Sequence, residues 1–191
     1  MSDWTLEAAI ERTGVLKQGH FLLTSGRHSD QYMQMAQLLQ YPAEAKAAGA
    51  AVAKLFTDQE IDLVVGPALG GVIIAHEVAS SLGVRCIFAE RKEGEMQIRR
   101  GFEVEAGERV LVIEDVVTTG GSVKEVIALL EERDAIIVGV GSLVDRSKGT
   151  NPFEVPYRSL KAVQIESYLE EDCPLCKEGI PAVKPGSRHK K

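Results

Sequence analysis

Four apolar residues, Val110-Leu111-Val112-Ile113, run directly into two adjacent carboxylates, Glu114 and Asp115. Val116-Val117-Thr118-Thr119-Gly120-Gly121-Ser122 follows, and then the helix-like Val123-Lys124-Glu125-Val126-Ile127-Ala128-Leu129-Leu130. A short apolar run bounded by turn residues predicts a buried parallel strand. Open α/β sheets bind ligands at the carboxyl ends of such strands. The helix N-terminus behind the loop points unpaired N–H groups and the positive end of its dipole at Thr118–Ser122, which is therefore predicted to cradle an anion. Carboxylates on a buried strand are costly unless a ligand or partner meets them. Standing one step before an anion cradle, Glu114 and Asp115 are placed to accept hydrogen bonds from a sugar whose phosphate the loop holds. There is no Gly-Lys-Ser/Thr of a P-loop and no Gly-x-Gly-x-x-Gly dinucleotide turn. The alternative is an ordinary strand–turn–helix with Thr119 or Ser122 as the helix cap.

The rest of the chain repeats the alternation. The pattern predicts a helix from about Leu6 that carries Ile10 and Val15-Leu16, a turn-rich stretch over 19–29, and a helix over 42–54 with Pro42 at its first position. Strands are predicted at 61–65, 84–89, 110–114 and 135–143, with one more possible at 160–165, and helices at 70–82 and 121–132. The charged stretch 90–101 is predicted to be a loop. Strands alternating with helices imply right-handed crossovers and a parallel sheet. With 191 residues, 45% of them hydrophobic, a single domain with one core is expected. A net charge of −6 argues against non-specific nucleic-acid binding. No apolar stretch approaches the ~18 residues of a membrane helix. Met1-Ser2-Asp3-Trp4 carries no secretory signal, and three cysteines are too few for a disulfide framework, so a reducing cytoplasm is the expected location.

The run from Val110 to Ser122 resembles the phosphoribosyl-pyrophosphate (PRPP) signature of the type I phosphoribosyltransferases: hydrophobic strand, acidic pair, two apolar residues, then Thr-x-Gly-x-Ser. The resemblance implies that family's fold, a mostly parallel sheet flanked by helices, with a core over roughly 46–147 and a small hood from residues 1–45 and the tail 148–191. It implies PRPP binding by Glu114, Asp115, Val116, Val117, Thr118, Thr119, Gly120, Gly121 and Ser122. The turn after the preceding strand, Val65-Gly66-Pro67-Ala68-Leu69-Gly70-Gly71, corresponds to the family's pyrophosphate loop, so Ala68, Leu69, Gly70 and Gly71 are the candidates there. The orotate-using members often carry a lysine in this turn, and this chain has Leu69-Gly70.

Three further segments resemble the orotate phosphoribosyltransferases in particular. Phe88-Ala89-Glu90-Arg91-Lys92-Glu93 resembles the start of their mobile catalytic loop, which implies that Arg91 and Lys92 meet the departing pyrophosphate, in trans across a homodimer. The loop here lacks a further lysine and histidine, and Arg99 or Arg100 stands in by charge alone. The segment from Gly19 to Tyr32, with Ser25-Gly26-Arg27-His28-Ser29, resembles the hood over the base, although Thr24 stands where a lysine is common. Val144-Asp145-Arg146 matches the arginine that grips the base. Orotate's carboxylate suits a planar guanidinium, so Arg146, Ser25 and Thr118 are the orotate candidates. With Glu114, Asp115, Arg91 and Lys92 as the catalytic set, the expected reaction joins orotate and PRPP to give orotidine 5′-monophosphate. Mg²⁺ is expected to arrive chelated by PRPP, with no protein metal ligand. The alternatives are a phosphoribosyltransferase for a purine or other base, and a non-catalytic PRPP sensor.

Cys173-Pro174-Leu175-Cys176 has zinc-knuckle spacing, but a structural zinc needs four ligands and only His189 lies nearby in sequence. Two such pairs across a dimer would supply four cysteines; ordinary reduced cysteines in a turn are the expectation. His76 is expected on a helix surface or in packing, and Met33 and Met35 in core or hood packing.

Overall fold

Every second residue of the central strands faces the opposite layer of helices, and both layers are apolar. The computed structural model describes residues 4–23 and 25–185, so Thr24 and His189 lie outside the described residues. The elements are α1 (Leu6–Thr13), β1 (Leu16–Leu22), β2 (His28–Met33), α2 (Ala36–Leu39), α3 (Pro42–Lys54), β3 (Leu63–Pro67), α4 (Gly70–Leu82), β4 (Arg85–Lys92), β5 (Glu95–Ile98), β6 (Arg109–Val117), α5 (Gly121–Glu131), β7 (Ile136–Asp145), β8 (Tyr157–Ala162) and α6 (Pro174–Lys177). Six strands form one sheet in the order β5-β4-β3-β6-β7-β8. All neighbours are parallel except the edge strand β5, which pairs antiparallel with β4.

Val64, Leu111 and Ile113 pack with α3 and α4 residues such as Val52, Ile74 and Val78 in one core. Leu63, Val65, Val110 and Val112 pack with Val123, Val126 and Leu130 of α5 in the other. The seven strand residues are fully buried, and each contributes about 1.5–3 kcal/mol on leaving water. Near-continuous burial of β3 and of the first half of β6 is what a strand covered on both faces requires. At the opposite end of the sheet from the signature loop, Asp62 accepts three hydrogen bonds from Arg109, one from its backbone N–H and two from its guanidinium, at 2.7–3.0 Å. This fixes the start of β6 beside the start of β3.

β1 and β2 form a separate antiparallel hairpin. The tail returns to it. His28 and Tyr168 exchange backbone hydrogen bonds at 2.8 Å each way, Leu22 N–H donates to Val183 O, and Val183 N–H donates to His20 O. Ser29 Oγ donates to Glu166 O at 2.7 Å, and the Arg27 guanidinium donates to Ser167.

The structure corrects several sequence expectations. α1 ends at Thr13, so Val15 and Leu16 belong to the turn and to β1. The turn-rich stretch 19–29 is strand at its two ends, where Phe21 and Leu22 pair with Ser29 and His28, and holds a turn between them in which Gly26 N–H donates to Leu23 O. The charged stretch 90–101 is mostly a second hairpin: Arg91 and Lys92 pair with Met96 and Glu95. Glu93 and Gly94 between them have φ of +55° and +93°, the left-handed pair that a two-residue hairpin turn needs. Gly66 and Pro67 end β3 rather than forming a turn, and β6 runs on through Asp115 to Val117 rather than stopping at Glu114. Helices α3 and α4 lie where the spacing predicts them, His76 is exposed on α4, and Met33 and Met35 are buried.

Candidate active site

The carboxyl ends of β3, β6 and β7 meet below the β1–β2 hairpin. On β6, Glu114 Oε1 accepts a hydrogen bond from the Asp115 N–H at 3.1 Å, and Asp115 Oδ1 accepts one from the Val116 N–H at 2.8 Å. Burial drives the Asp115 carboxyl above its ordinary range, opposed by hydrogen bonds from Glu114 and from the Val116 backbone. The β3–α4 turn lies directly against this pair. A Cβ on Gly70 would stand 2.8 and 2.9 Å from the Asp115 carboxylate oxygens, and one on Gly71 would stand 3.0 Å from Glu114 Oε1. The two glycines are therefore what allows the turn and the acids to share this space. The peptide joining Ala68 and Leu69 is cis, and Leu69 is exposed to solvent.

Two cavities open at this end of the sheet. One, of about 470 Å³, is lined by Glu114, by Val116 through Val123, and by Arg91, Glu125 and Ser25. The N-cap of α5 is Gly120 and no side chain caps the helix, so neither Thr119 nor Ser122 plays that part. Its first N–H groups stand at the loop, as anion binding requires. The other cavity, of about 600 Å³, lies under the hood and is lined by Leu22, Ser25, Tyr32, Thr118, Arg146, Lys148, residues 163–168 and Lys184. Ser25 and Thr118 line both cavities. Burial pushes the Tyr32 hydroxyl upward, the nearby Asp115 charge adds to this, and Arg146 opposes it. Arg146 itself is depressed by burial. Its backbone N–H donates to Val117 O at 2.7 Å, yet its side-chain Nε is buried with no acceptor.

The phosphoribosyl transferase domain family matches residues 34–171 of the chain. An orotate phosphoribosyltransferase of Thermoanaerobacter sp. strain X514 is 56% identical over 179 residues, 94% of each chain. The chain belongs to the orotate phosphoribosyltransferase family. Its Thermotoga maritima member is 53% identical over 183 residues, covering 96% of this chain and 98% of that one. The crystal structure of the Aeropyrum pernix member superimposes with a TM-score of 0.71 at 26% identity, over 83% of this chain and 94% of that one.

Several residues expected from the orotate phosphoribosyltransferase pattern come together here: Glu114, Val116 to Ser122, Arg91, Ser25 and Arg146 all line one cavity or the other. Asp115 lies against Gly70 and lines neither. Arg91 bonds Glu125 at 2.7 Å and the Gly94 carbonyl at 2.8 Å, beside its own chain's phosphate loop. Lys92, the next residue on β4, is exposed and lines neither cavity, because successive strand residues face opposite ways. Arg99 and Arg100 do not reach the site; both pair with Glu90, and Arg100 also lies over the Phe88 ring. Nothing in the sequence marks Lys148, Lys184 or residues 163–168 as cavity residues, since no local pattern reveals where a tail will dock.

The cysteine pair is also placed differently from expectation. Cys173 and Cys176 are not an isolated turn: they converge with His20 and His28 of the hairpin.

Proposed function

We propose that the chain transfers the phosphoribosyl group of PRPP to N1 of orotate, giving orotidine 5′-monophosphate and pyrophosphate in de novo pyrimidine biosynthesis. Membership of the family makes it a pentosyl-transferring enzyme. The observation that carries the choice of base is Arg146, whose buried Nε has no acceptor on the wall of the hood cavity. A half-buried guanidinium whose buried Nε has no acceptor is suited to a planar anion, and the orotate carboxylate fits where a neutral purine does not.

In this reading the N–H groups and hydroxyls of Thr118–Ser122 hold the 5′-phosphate, and Glu114 and Asp115 accept hydrogen bonds from the ribose hydroxyls. Thr118 and Ser25 line both cavities, so the ribose C1 sits where the cavities meet. The bond from C1 to pyrophosphate breaks through an oxocarbenium-like state, and N1 of orotate closes on C1 from the hood side. Orotate can arrive with N1 already deprotonated, so no protein nucleophile is needed. The protein positions the two substrates and stabilises charge. The family resemblance assigns Arg91 to the departing pyrophosphate across a homodimer, whereas here Arg91 lines its own chain's phosphate-loop cavity, where its charge faces the PRPP phosphates. Lys92 is exposed on β4 and lines neither cavity of its own chain, which supports a homodimer in which it serves the partner's site.

Magnesium belongs to this proposal as a companion of PRPP. It would be held by the pyrophosphate and ribose oxygens of PRPP with waters completing its shell, while the carboxylates of Glu114 and Asp115 take the ribose hydroxyls. When bound, the ion offsets the negative charge of the pyrophosphate. The test is direct: protein, Mg²⁺ and PRPP are incubated with orotate, uracil, adenine or hypoxanthine. Loss of orotate absorbance with pyrophosphate release is expected, and turnover of a purine instead of orotate would overturn the reading.

A further inference from the structure

We infer that His20, His28, Cys173 and Cys176 form a structural zinc site that ties the N-terminal hairpin to the C-terminal tail. His20 lies on β1, His28 on β2, Cys173 just before α6, and Cys176 within it. One ligand atom from each lies within 4.8 Å of all the others. His20 Nε2 is 2.7 Å from His28 Nδ1, 3.5 Å from Cys173 Sγ and 3.7 Å from Cys176 Sγ, and Cys176 Sγ is 3.3 Å from His28 Nδ1. Zinc at ~2.0–2.1 Å from nitrogen and ~2.3 Å from sulfur would set tetrahedral nitrogen–sulfur separations of ~3.6 Å and a nitrogen–nitrogen separation of ~3.3 Å. The three nitrogen–sulfur distances match, and the nitrogens need only part slightly.

The proton inventory points the same way. His20 Nδ1 lies 2.6 Å from the Ile180 carbonyl, which can only accept, so Nδ1 carries the proton and Nε2 presents its lone pair to the cluster. A backbone carbonyl that orients a ligating histidine in this manner is a usual companion of a metal. Without an ion, that one lone pair is approached by His28 Nδ1 and by both thiols, and it can accept from only one of them. A dication resolves the conflict: the two thiols release their protons and become thiolates, and both imidazoles ligate in their neutral form. His20, His28 and Cys173 are buried and Cys176 is half-buried, as expected of a closed four-ligand site with no open position. Soft sulfur beside imidazole selects zinc over magnesium or calcium.

Hairpin and tail both line the hood cavity, through Leu22, Tyr32 and Tyr168. The metal's role would be to hold that hood together, and this consequence rests on the functional reading above, whereas the site itself does not. The test uses the full chain without an affinity tag, purified under reducing conditions from zinc-supplemented cells. Elemental analysis is expected to find one zinc per chain. Cobalt taken up in its place is expected to give the visible bands of a tetrahedral ion and a thiolate charge-transfer band. Titration of the apoprotein should give a dissociation constant tighter than about 100 nM. Cys173 and Cys176 should resist alkylation until a chelator is added. Cys176→Ser should lose the metal and raise the KM for orotate while leaving PRPP binding unchanged. If that variant does not fold, the zinc content and cobalt spectrum of the wild-type chain still decide. A folded wild-type protein that takes up neither ion after reduction and reconstitution overturns the inference. So does a Cys173–Cys176 disulfide in that preparation, or zinc retained in full by both Cys176→Ser and His20→Ala. None of the results that would overturn the site depends on turnover, so failure of the metal site and failure of the proposed reaction are distinguishable.

Discussion

Asp115 is held in a state that favours function over stability. Burial raises its carboxyl above the ordinary value, so it ionises less readily in the folded than in the unfolded chain and its ionisation opposes folding. That cost is absent below the ordinary carboxyl pKa and grows as pH rises through the raised folded value. Asp115→Asn removes it while keeping an oxygen for the Val116 N–H. Thermal melts should therefore show the variant more stable than the wild type at neutral pH, with the difference closing as pH falls. The same variant should lose about 2–4 kcal/mol of transition-state stabilisation, roughly 30- to 900-fold in kcat/KM. Equal melting at both pH values and unchanged kinetics would remove Asp115 from the site. Arg146→Ala should weaken orotate binding by about 2–5 kcal/mol and leave PRPP binding nearly intact by calorimetry. Equal losses for both substrates would make Arg146 structural. Both residues are legible in the sequence, because they sit in short contiguous motifs. His20 and His28 are not: each stands alone in a turn-rich stretch, about 150 residues before the cysteines it meets, and sequence spacing carries no sign of that return.

At the scale of elements, the β3–α4 turn is shaped by what it must not contain. Gly70→Ala would place a methyl group 2.8–2.9 Å from both Asp115 oxygens, so either the turn or the carboxylate must move. A misplacement of this kind is expected to cost on the order of 100-fold in kcat/KM, while far-ultraviolet circular dichroism and the melting temperature stay close to wild type. Wild-type kinetics in Gly70→Ala would show that the turn does not form the pyrophosphate side of the site. The βα units around this turn are legible in the sequence because a strand buried on both faces needs no distant information to be recognised: Leu63, Val64 and Val65 form an unbroken apolar run, and α4 begins at its glycine pair. The two hairpins are not legible from composition. In β4–β5 the pairing residues include Glu90, Arg91, Lys92, Glu95 and Gln97, whose polarity marks a solvated surface. An edge hairpin is stabilised by its backbone ladder and by a few inward residues such as the buried Met96, a signal too sparse to outweigh the charges around it.

For the whole molecule, the alternation along β4 separates two basic residues that the sequence places side by side. Arg91 lines its own chain's cavity and Lys92 is exposed and lines neither, so the homodimer reading predicts complementation. Lys92→Ala and Asp115→Asn chains, each inactive alone, should regain activity on subunit exchange, because one site of the mixed dimer then carries neither defect. No recovery after exchange confirmed by native mass would confine each hairpin to its own subunit. The docking of the tail onto the hairpin has a consequence of another kind, in the order of synthesis. The phosphate loop and Arg146 are both synthesised before the tail, whereas the hood cavity also takes its lining from Tyr168 and Lys184. A chain cut short after β7 and Arg146 would therefore keep the loop and the arginine yet lack the wall that encloses the hood cavity. Enclosure of the hood cavity, rather than any single contact inside it, is the last part of the site to be synthesised.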